Sequence, residues 1–167
     1  MGRRFDSDKW LHFWHLDLFN KVIFWYNYKI LLFHSIKVGK KLNLGVVGYC
    51  PPSRFDETTA RDLVKKGFDA LATAHPDAEI TVVSGLTNVG VLKIAYEEAR
   101  DRGWRTVGIA CKKAADYELF PVDEVRIVGE NWGDESATFV SSVDAMLRVG
   151  GGPQSKREAE LVRAGGG

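Results

Sequence analysis

The chain has 167 residues, enough for one domain whose core needs no disulfide or metal to hold it together. Its composition, 45% hydrophobic and 27% charged, is that of a globular protein, and a formal net charge of +1 offers none of the basic surface that nucleic acids require, so a small molecule is the expected partner. Cys50 and Cys111 have no paired spacing, which excludes a disulfide framework or a cysteine zinc site and points to the cytoplasm, and no run reaches the roughly 18 to 20 apolar residues of a membrane span.

The composition changes sharply near residue 42. Residues 1–41 hold eight Lys/Arg against three Asp/Glu, ten of the nineteen aromatics and three of the four histidines. Their net charge of +5 leaves −4 for the rest of the chain. The apolar residues from Phe24 to Phe33 follow neither the helical nor the strand period, so the structure of 1–42 is left undecided between the two. This basic, aromatic-rich extension has three readings: a stretch lying in a membrane interface, a cap or subunit contact that hides its aromatics, or an upstream extension from a misplaced start, the last being preferred. Asp17, Asn20 and Asn27 interrupt any clean apolar face, which counts against membrane contact. No secretory signal is evident, and His12, His15 and His34 lack the carboxylate or cysteine that would complete a metal site, so no metal is expected.

From residue 43 to 167 strands alternate with helices. Leu44 to Tyr49 reads as a buried strand, and Cys50-Pro51-Pro52-Ser53 as a loop that cannot stay helical. A helix starts at about Asp56, with Ala60, Leu63, Val64, Phe68, Leu71 and Ala72 gathered on one face by three- and four-residue steps. Ile80 to Ser84 is the second strand. Gly85 to Gly90 turns tightly into a helix that Arg102-Gly103 closes. Thr106–Ala110 and Glu124–Val128 are further strands, Asp134 offers an N-cap for a short helix to about Ser142, and Asp144–Val149 is the fifth strand. After Gly150-Gly151-Gly152, Pro153 suits the first turn of a last helix running to about Arg163. The pattern predicts a Rossmann-like α/β fold: a three-layer parallel sheet with helices on both faces. A helix ending in Gly165-Gly166-Gly167 would ordinarily lead into another strand, so the last sheet element is expected to be missing.

Ligands of such sheets bind beyond the carboxyl ends of the strands, and three glycine turns fall on that rim. Glycine lets the backbone approach a ligand closely, and free N–H groups at a helix N-terminus bind phosphate oxygens. Candidate phosphate and ligand contacts are therefore Gly48, Tyr49 and Ser53 on the first turn, Gly85, Thr87 and Gly90 on the second, and Gly151, Gly152, Gln154 and Ser155 on the third. Ser155 and Glu158 have the spacing of a capping box, the favoured reading from spacing alone, although a carboxylate one turn inside such a helix can also serve as acid or base. Asp134 and Glu135, with Trp132, reach the same rim and are candidate ribose contacts, with capping by Asp134 the simpler role. Cys50 reads as packing.

Taken together, these residues resemble the LOG-like proteins, a family long labelled as lysine decarboxylases, within the Rossmann-like nucleotide-binding group that also includes the DNA-processing protein family. The likeness spans about residues 43 to 164. Gly85–Gly90 resembles the family's first glycine turn, and Gly151-Gly152-x-x-Ser155-x-x-Glu158 its Pro-Gly-Gly-x-Gly-Thr-x-x-Glu signature. In active members the resemblance implies a phosphoribohydrolase that releases a cytokinin-type base from a nucleoside monophosphate, with Glu158 matching the catalytic glutamate and Ser155 the phosphate-binding hydroxyl; members commonly form dimers. This chain departs from the signature at three places: Gly150 replaces Pro, Gln154 replaces Gly, and Glu135-Ser136 replaces an Arg-Lys pair. A carboxylate where an arginine would stabilise phosphate repels it instead.

The favoured expectation is a binding or carrier protein for a phosphorylated nucleotide-like molecule or cofactor, without catalysis, as the molybdenum-cofactor carriers of this family are. The alternative is an N-glycosidic hydrolase of nucleoside monophosphates, with Glu158 helped by Lys112 or Lys113. A DNA-handling role is disfavoured by the −4 charge of the domain.

Overall fold

The computed structural model describes residues 41–165, and the backbone strands formed by residues 16–17, 21–22, 25–26 and 30–34. In chain order the strands are β1 (Leu16–Asp17), β2 (Lys21–Val22), β3 (Trp25–Tyr26), β4 (Ile30–His34), β5 (Lys41–Gly48), β6 (Glu79–Ser84), β7 (Arg105–Ala110), β8 (Glu124–Ile127) and β9 (Ala145–Val149). The helices are α1 (Glu57–Ala74), α2 (Gly90–Asp101), α3 (Ser136–Ser141) and α4 (Pro153–Gly165), with a 3₁₀ turn at Lys112–Asp116. The main sheet has the order β3-β4-β9-β5-β6-β7-β8, and the run from β9 to β8 is parallel throughout. The chain thus reverses its direction of travel across the sheet beside β5, which opens a crevice at the carboxyl ends of β5 and β9.

Parallel strands joined by crossovers bury both faces, and the residues divide accordingly. Leu42, Leu44, Val46, Val82 and Leu147 pack with Leu63, Val64 and Phe68 of α1 and Val91, Ile94 and Ala95 of α2. On the opposite face Val47, Val83, Val107, Ile109 and Met146 meet Phe139 of α3 and Ala159 of α4. The layers are those the alternation predicts, and the five parallel strands and the longer helices fall within about three residues of their expected bounds. α1 begins where expected because the Asp56 side chain accepts the Thr59 N–H at 2.6 Å.

One local expectation is corrected. Asp134 does not cap α3. Its Oδ2 accepts the N–H groups of Glu130 and Asn131, both at 2.9 Å, because the left-handed Gly129 folds the loop back over it. α3 itself starts at Ser136 with no side-chain cap. The edge beside β9 is taken by a strand from the other end of the chain: β4 pairs antiparallel with β9, Ile30 opposite Val149 and His34 opposite Ala145. Where the segment before β5 is described it therefore forms strands, and not helix. His12 and His15 lie outside the described residues, as does most of the stretch on which the membrane, cap and extension readings turned, and His34 is described only as backbone. Among the described residues no helix is long and apolar enough to cross a membrane.

Tyr96 of α2 fastens the end of β6 to the middle of β7. Its side chain is buried, and its hydroxyl lies 2.9 Å from both the Gly85 and the Val107 carbonyl oxygens, which share its single proton. Tyr96→Phe is expected to lower unfolding free energy by about 1–2 kcal/mol in urea titrations, the scale of a buried carbonyl left short of a donor. Phe68→Ala, at the centre of the α1 face, should cost about 3–5 kcal/mol.

Candidate functional site

The ends of β5, β6 and β9 meet around one cavity of about 430 Å³. Gly48 and Cys50 reach it from the first turn, Gly85 and Thr87 from the second, and Gly152, Gln154, Ser155 and Glu158 from the third, with Glu135 entering from the start of α3. Val46, Leu86, Leu92, Ile109 and Phe139 form apolar wall. Burial pushes the Cys50 thiol pKa up, which keeps it a packing group.

The remaining predicted residues stand outside the cavity. Ser53 is exposed. Asp134 is spent on its own loop. Tyr49, Gly90 and Gly151 hold the turns together. Gly150 has φ +62°, and a side chain there would run into the Tyr49 ring; Gly90 has φ +61° and lies against the Tyr49 carbonyl, which accepts the Val91 N–H at 2.8 Å. At Gly151 the space that a Cβ would take is filled by the Gly48 backbone and the Ser155 hydroxyl. Gly152 alone of the glycine run faces open space. Pro153 carries no N–H, so the donors at the start of α4 come from the residues around it. The Lys156 N–H closes the first turn on the Gly152 carbonyl at 3.2 Å, leaving earlier N–H groups without a partner inside the helix.

Ser155 and Glu158 do not form a capping box. Pro153 opens α4, so Ser155 is already its third residue, too late to cap it. Its hydroxyl donates to the Gly152 carbonyl at 2.9 Å. Arg148, a residue that the sequence reading passed over, donates to the Ser155 hydroxyl at 3.4 Å and to the Gly151 carbonyl at 3.3 Å. It braces the turn from behind and does not line the cavity. A lone arginine near the end of the otherwise apolar β9 carries no pattern by which it could have been singled out.

Glu158 turns towards α3. Its Oε1 accepts the Ser136 hydroxyl at 2.7 Å and the Gln154 amide at 3.1 Å. The same amide nitrogen lies 3.2 Å from Glu135 Oε1, whose other oxygen accepts the Gly133 N–H at 2.9 Å. Two carboxylates, 6% and 7% exposed at Glu158 and Glu135, are thus joined through one amide. Burial raises the Glu158 pKa; the bonds from Ser136 and Gln154 oppose the rise, and the Glu135 charge adds to it. Among the described residues no Lys or Arg lines the cavity. Lys112 pairs instead with Glu130 at 2.6 Å, and neither it nor Lys113 reaches the cavity.

At the mouth stand Trp132 and Tyr117, 47% and 56% exposed, with rings 5.9 Å apart in an edge-to-face arrangement. Tyr117 follows the 3₁₀ turn after β7, in a loop that lacked any glycine signal to place it on the rim.

A parallel sheet crossed by helices on both faces, with a crevice at the carboxyl ends of its strands, defines a Rossmann-like protein. No protein-family model and no curated protein sequence matches the chain. Solved structures do. The molybdenum cofactor carrier protein of Chlamydomonas reinhardtii is 22% identical, with 75% of this chain and 72% of that one superposed at a TM-score of 0.58. The molybdenum cofactor binding protein of the phototrophic bacterium Rippkaea orientalis is also 22% identical, over 73% and 70% of the two chains at 0.58, and the structural-genomics protein TM1055 is 21% identical, over 74% and 69% at 0.58. The fold of this chain is the one these proteins share.

Because the folded protein holds the Glu158 proton more tightly than the unfolded chain, the stability from this group is complete below the ordinary glutamate pKa and is lost as pH rises through the raised value. Glu158→Gln cannot ionise and keeps the shape. It should melt at a higher temperature than the wild type at neutral pH and at a closely similar one near about pH 4. Calorimetric melts across this range check it; a less stable variant at neutral pH would contradict it.

Proposed function

We propose that this protein binds a small phosphorylated, nucleotide-like molecule at the carboxyl-end rim of its sheet, as a binding or carrier protein without chemistry of its own. The observation that carries this reading is the convergence of three turns on one cavity, with the open Gly152 and the first turn of α4 on its wall. N–H groups at such a turn attract a phosphate through both hydrogen bonding and the helix dipole. Gly85, Thr87 and the cavity-facing part of the third turn, Gly152 and Gln154, are the remaining polar groups in reach, and the apolar wall would receive the rest of the molecule. The shared fold of two proteins described as carrying or binding the molybdenum cofactor supports a cargo-binding role.

Against hydrolysis of an N-glycosidic bond stands the charge of the cavity. Glu158 keeps the position of a general acid, and its raised pKa would suit that task. A departing phosphorylated sugar would face Glu135 where a cation is needed, and among the described residues no Lys or Arg lines the cavity to offset it. Of the two candidate ribose contacts only Glu135 is available, since Asp134 points into its own loop.

The test combines binding and turnover. Nucleoside monophosphates or inorganic phosphate at millimolar concentration are expected to raise the melting temperature, and Gly152→Asp, which sets a negative charge on the turn, should remove the shift. No free base should accumulate on prolonged incubation with the monophosphates. Release of base that Glu158→Gln abolishes would instead establish the hydrolase.

A further inference from the structure

The polar groups of the cavity are unbalanced. Two carboxylates face it, both more than nine-tenths buried, and among the described residues no cation does. The Gln154 amide donates to one oxygen of each, and Gly133 to the second oxygen of Glu135. Among the described residues Glu158 Oε2 accepts no hydrogen bond, and it is not a sealed, unpartnered atom of the interior, so it is the oxygen that Glu158 has left to offer the cavity it lines. A carboxylate oxygen in so sheltered a place requires a donor. Two large aromatic side chains, Trp132 and Tyr117, stand about half exposed at the mouth of the same cavity, where solvation gives them no reason to gather.

We propose that the part of the ligand lying away from the α4 turn is a planar nitrogen heterocycle with two adjacent N–H donors on one edge, which Glu158 and Glu135 accept while Trp132 and Tyr117 cover its face. This rests on the proposed binding of a phosphorylated ligand for its orientation, with the phosphate on the turn and the ring beyond it. The acid pair then acts as a specificity device. It accepts an amidine-like edge, and it rejects a ring that offers only acceptors, because burying a carboxylate against a carbonyl or ring nitrogen leaves both unsatisfied. A sugar diol would also satisfy the carboxylates, but a diol makes no use of the aromatic pair.

Guanosine and inosine monophosphate share their sugar and phosphate and differ by one amino group on the ring edge, so their ratio reads the edge alone. Isothermal titration of the full chain with guanosine monophosphate, inosine monophosphate and inorganic phosphate is the experiment. The guanine nucleotide is expected to bind at least about tenfold more tightly than the inosine nucleotide, the scale of one hydrogen bond to a charged acceptor. Glu158→Gln and Glu135→Gln should each reduce that preference to under about threefold while leaving inorganic phosphate binding equal or stronger. Trp132 is exposed, and Trp132→Ala should fold normally and weaken both nucleotides by about tenfold.

Equal affinity for the two nucleotides in the wild type, or a preference that survives both glutamine variants, overturns the proposal, and in the first case would assign the acid pair to the shared sugar. If the guanine preference holds but inorganic phosphate does not bind and does not compete, the proposal stands and the phosphate site falls. If none of the three binds, both fall.

Discussion

The pairing of β9 with β5 sets the geometry of everything at the rim. At its lower end Asn43 and Asp144 bond reciprocally, the Asn43 N–H to Asp144 Oδ2 at 2.8 Å and the Asp144 N–H to the Asn43 carbonyl at 2.9 Å, across 101 residues of chain. From there the register runs to Gly48 opposite Val149, and the Tyr49 N–H adds one more bond to the Val149 carbonyl. Fixing that register brings the turns after Gly48 and Val149 to the same point, where α2 also begins. Three backbones then crowd one place. Gly90 and Gly150 admit Tyr49 between them, and Gly151 admits Gly48. The glycines are thus first a requirement of chain crossing, and the cavity is the space that remains beside the crossing.

This explains which parts of the site were legible in the sequence. Helical and strand periodicities depend on neighbours close in the chain, so α1, α2 and the five parallel strands could be read from residues such as Leu63, Phe68 and Val82 with only their ends uncertain. That glycine turns would share a rim followed from the topology. Which turn residue faces a ligand did not, because Gly151 and Gly152 are adjacent and alike in sequence, yet one lies against Gly48 and the other against open space. Ser155 and Glu158 misled for a related reason. A capping box is a local pattern, and Glu158 Oε1 accepts from Ser136, 22 residues away, on an element whose position only the fold supplies. Of the strands before β5, β4 escaped because its partner in the main sheet is β9, more than a hundred residues later, and edge pairing leaves little trace in local periodicity.

The three departures from the LOG-like signature belong to one physical arrangement. Gly150 replaces a proline, and its φ of +62° is one that proline, held near −65°, cannot take; the turn that results lets Tyr49 fill the gap between β5 and α4. Glu135 stands where the resemblance places an arginine, on the element that faces Glu158. Alone, it would bury a second carboxylate beside the first in a cavity lined by no cation. Gln154 replaces a glycine, and its amide lies 3.2 Å from Glu135 and 3.1 Å from Glu158, between the two. The substitution at 154 supplies the donor that the substitution at 135 makes necessary.

That coupling changes what Glu158 can do. Beside an arginine, a glutamate is held ionised and its partner is ready to meet a phosphate. Beside Glu135 the same glutamate is pushed towards its neutral form, and the bonds from Ser136 and Gln154 restrain but do not reverse the push. Burying both carboxylates as charges would require more compensation than one side-chain amide, one hydroxyl and the Gly133 N–H can give, so a ligand that arrives with donors is favoured over one that arrives with charge of the same sign. In the proposed reading the glycine rim and the acid pair sort a ligand by its ends: an anionic group is drawn to the free N–H groups of α4, and a donor-bearing group to the carboxylates. Such a cavity would keep the binding half of the site that the resemblance implies, having exchanged the charge on which departure of a phosphorylated sugar would depend.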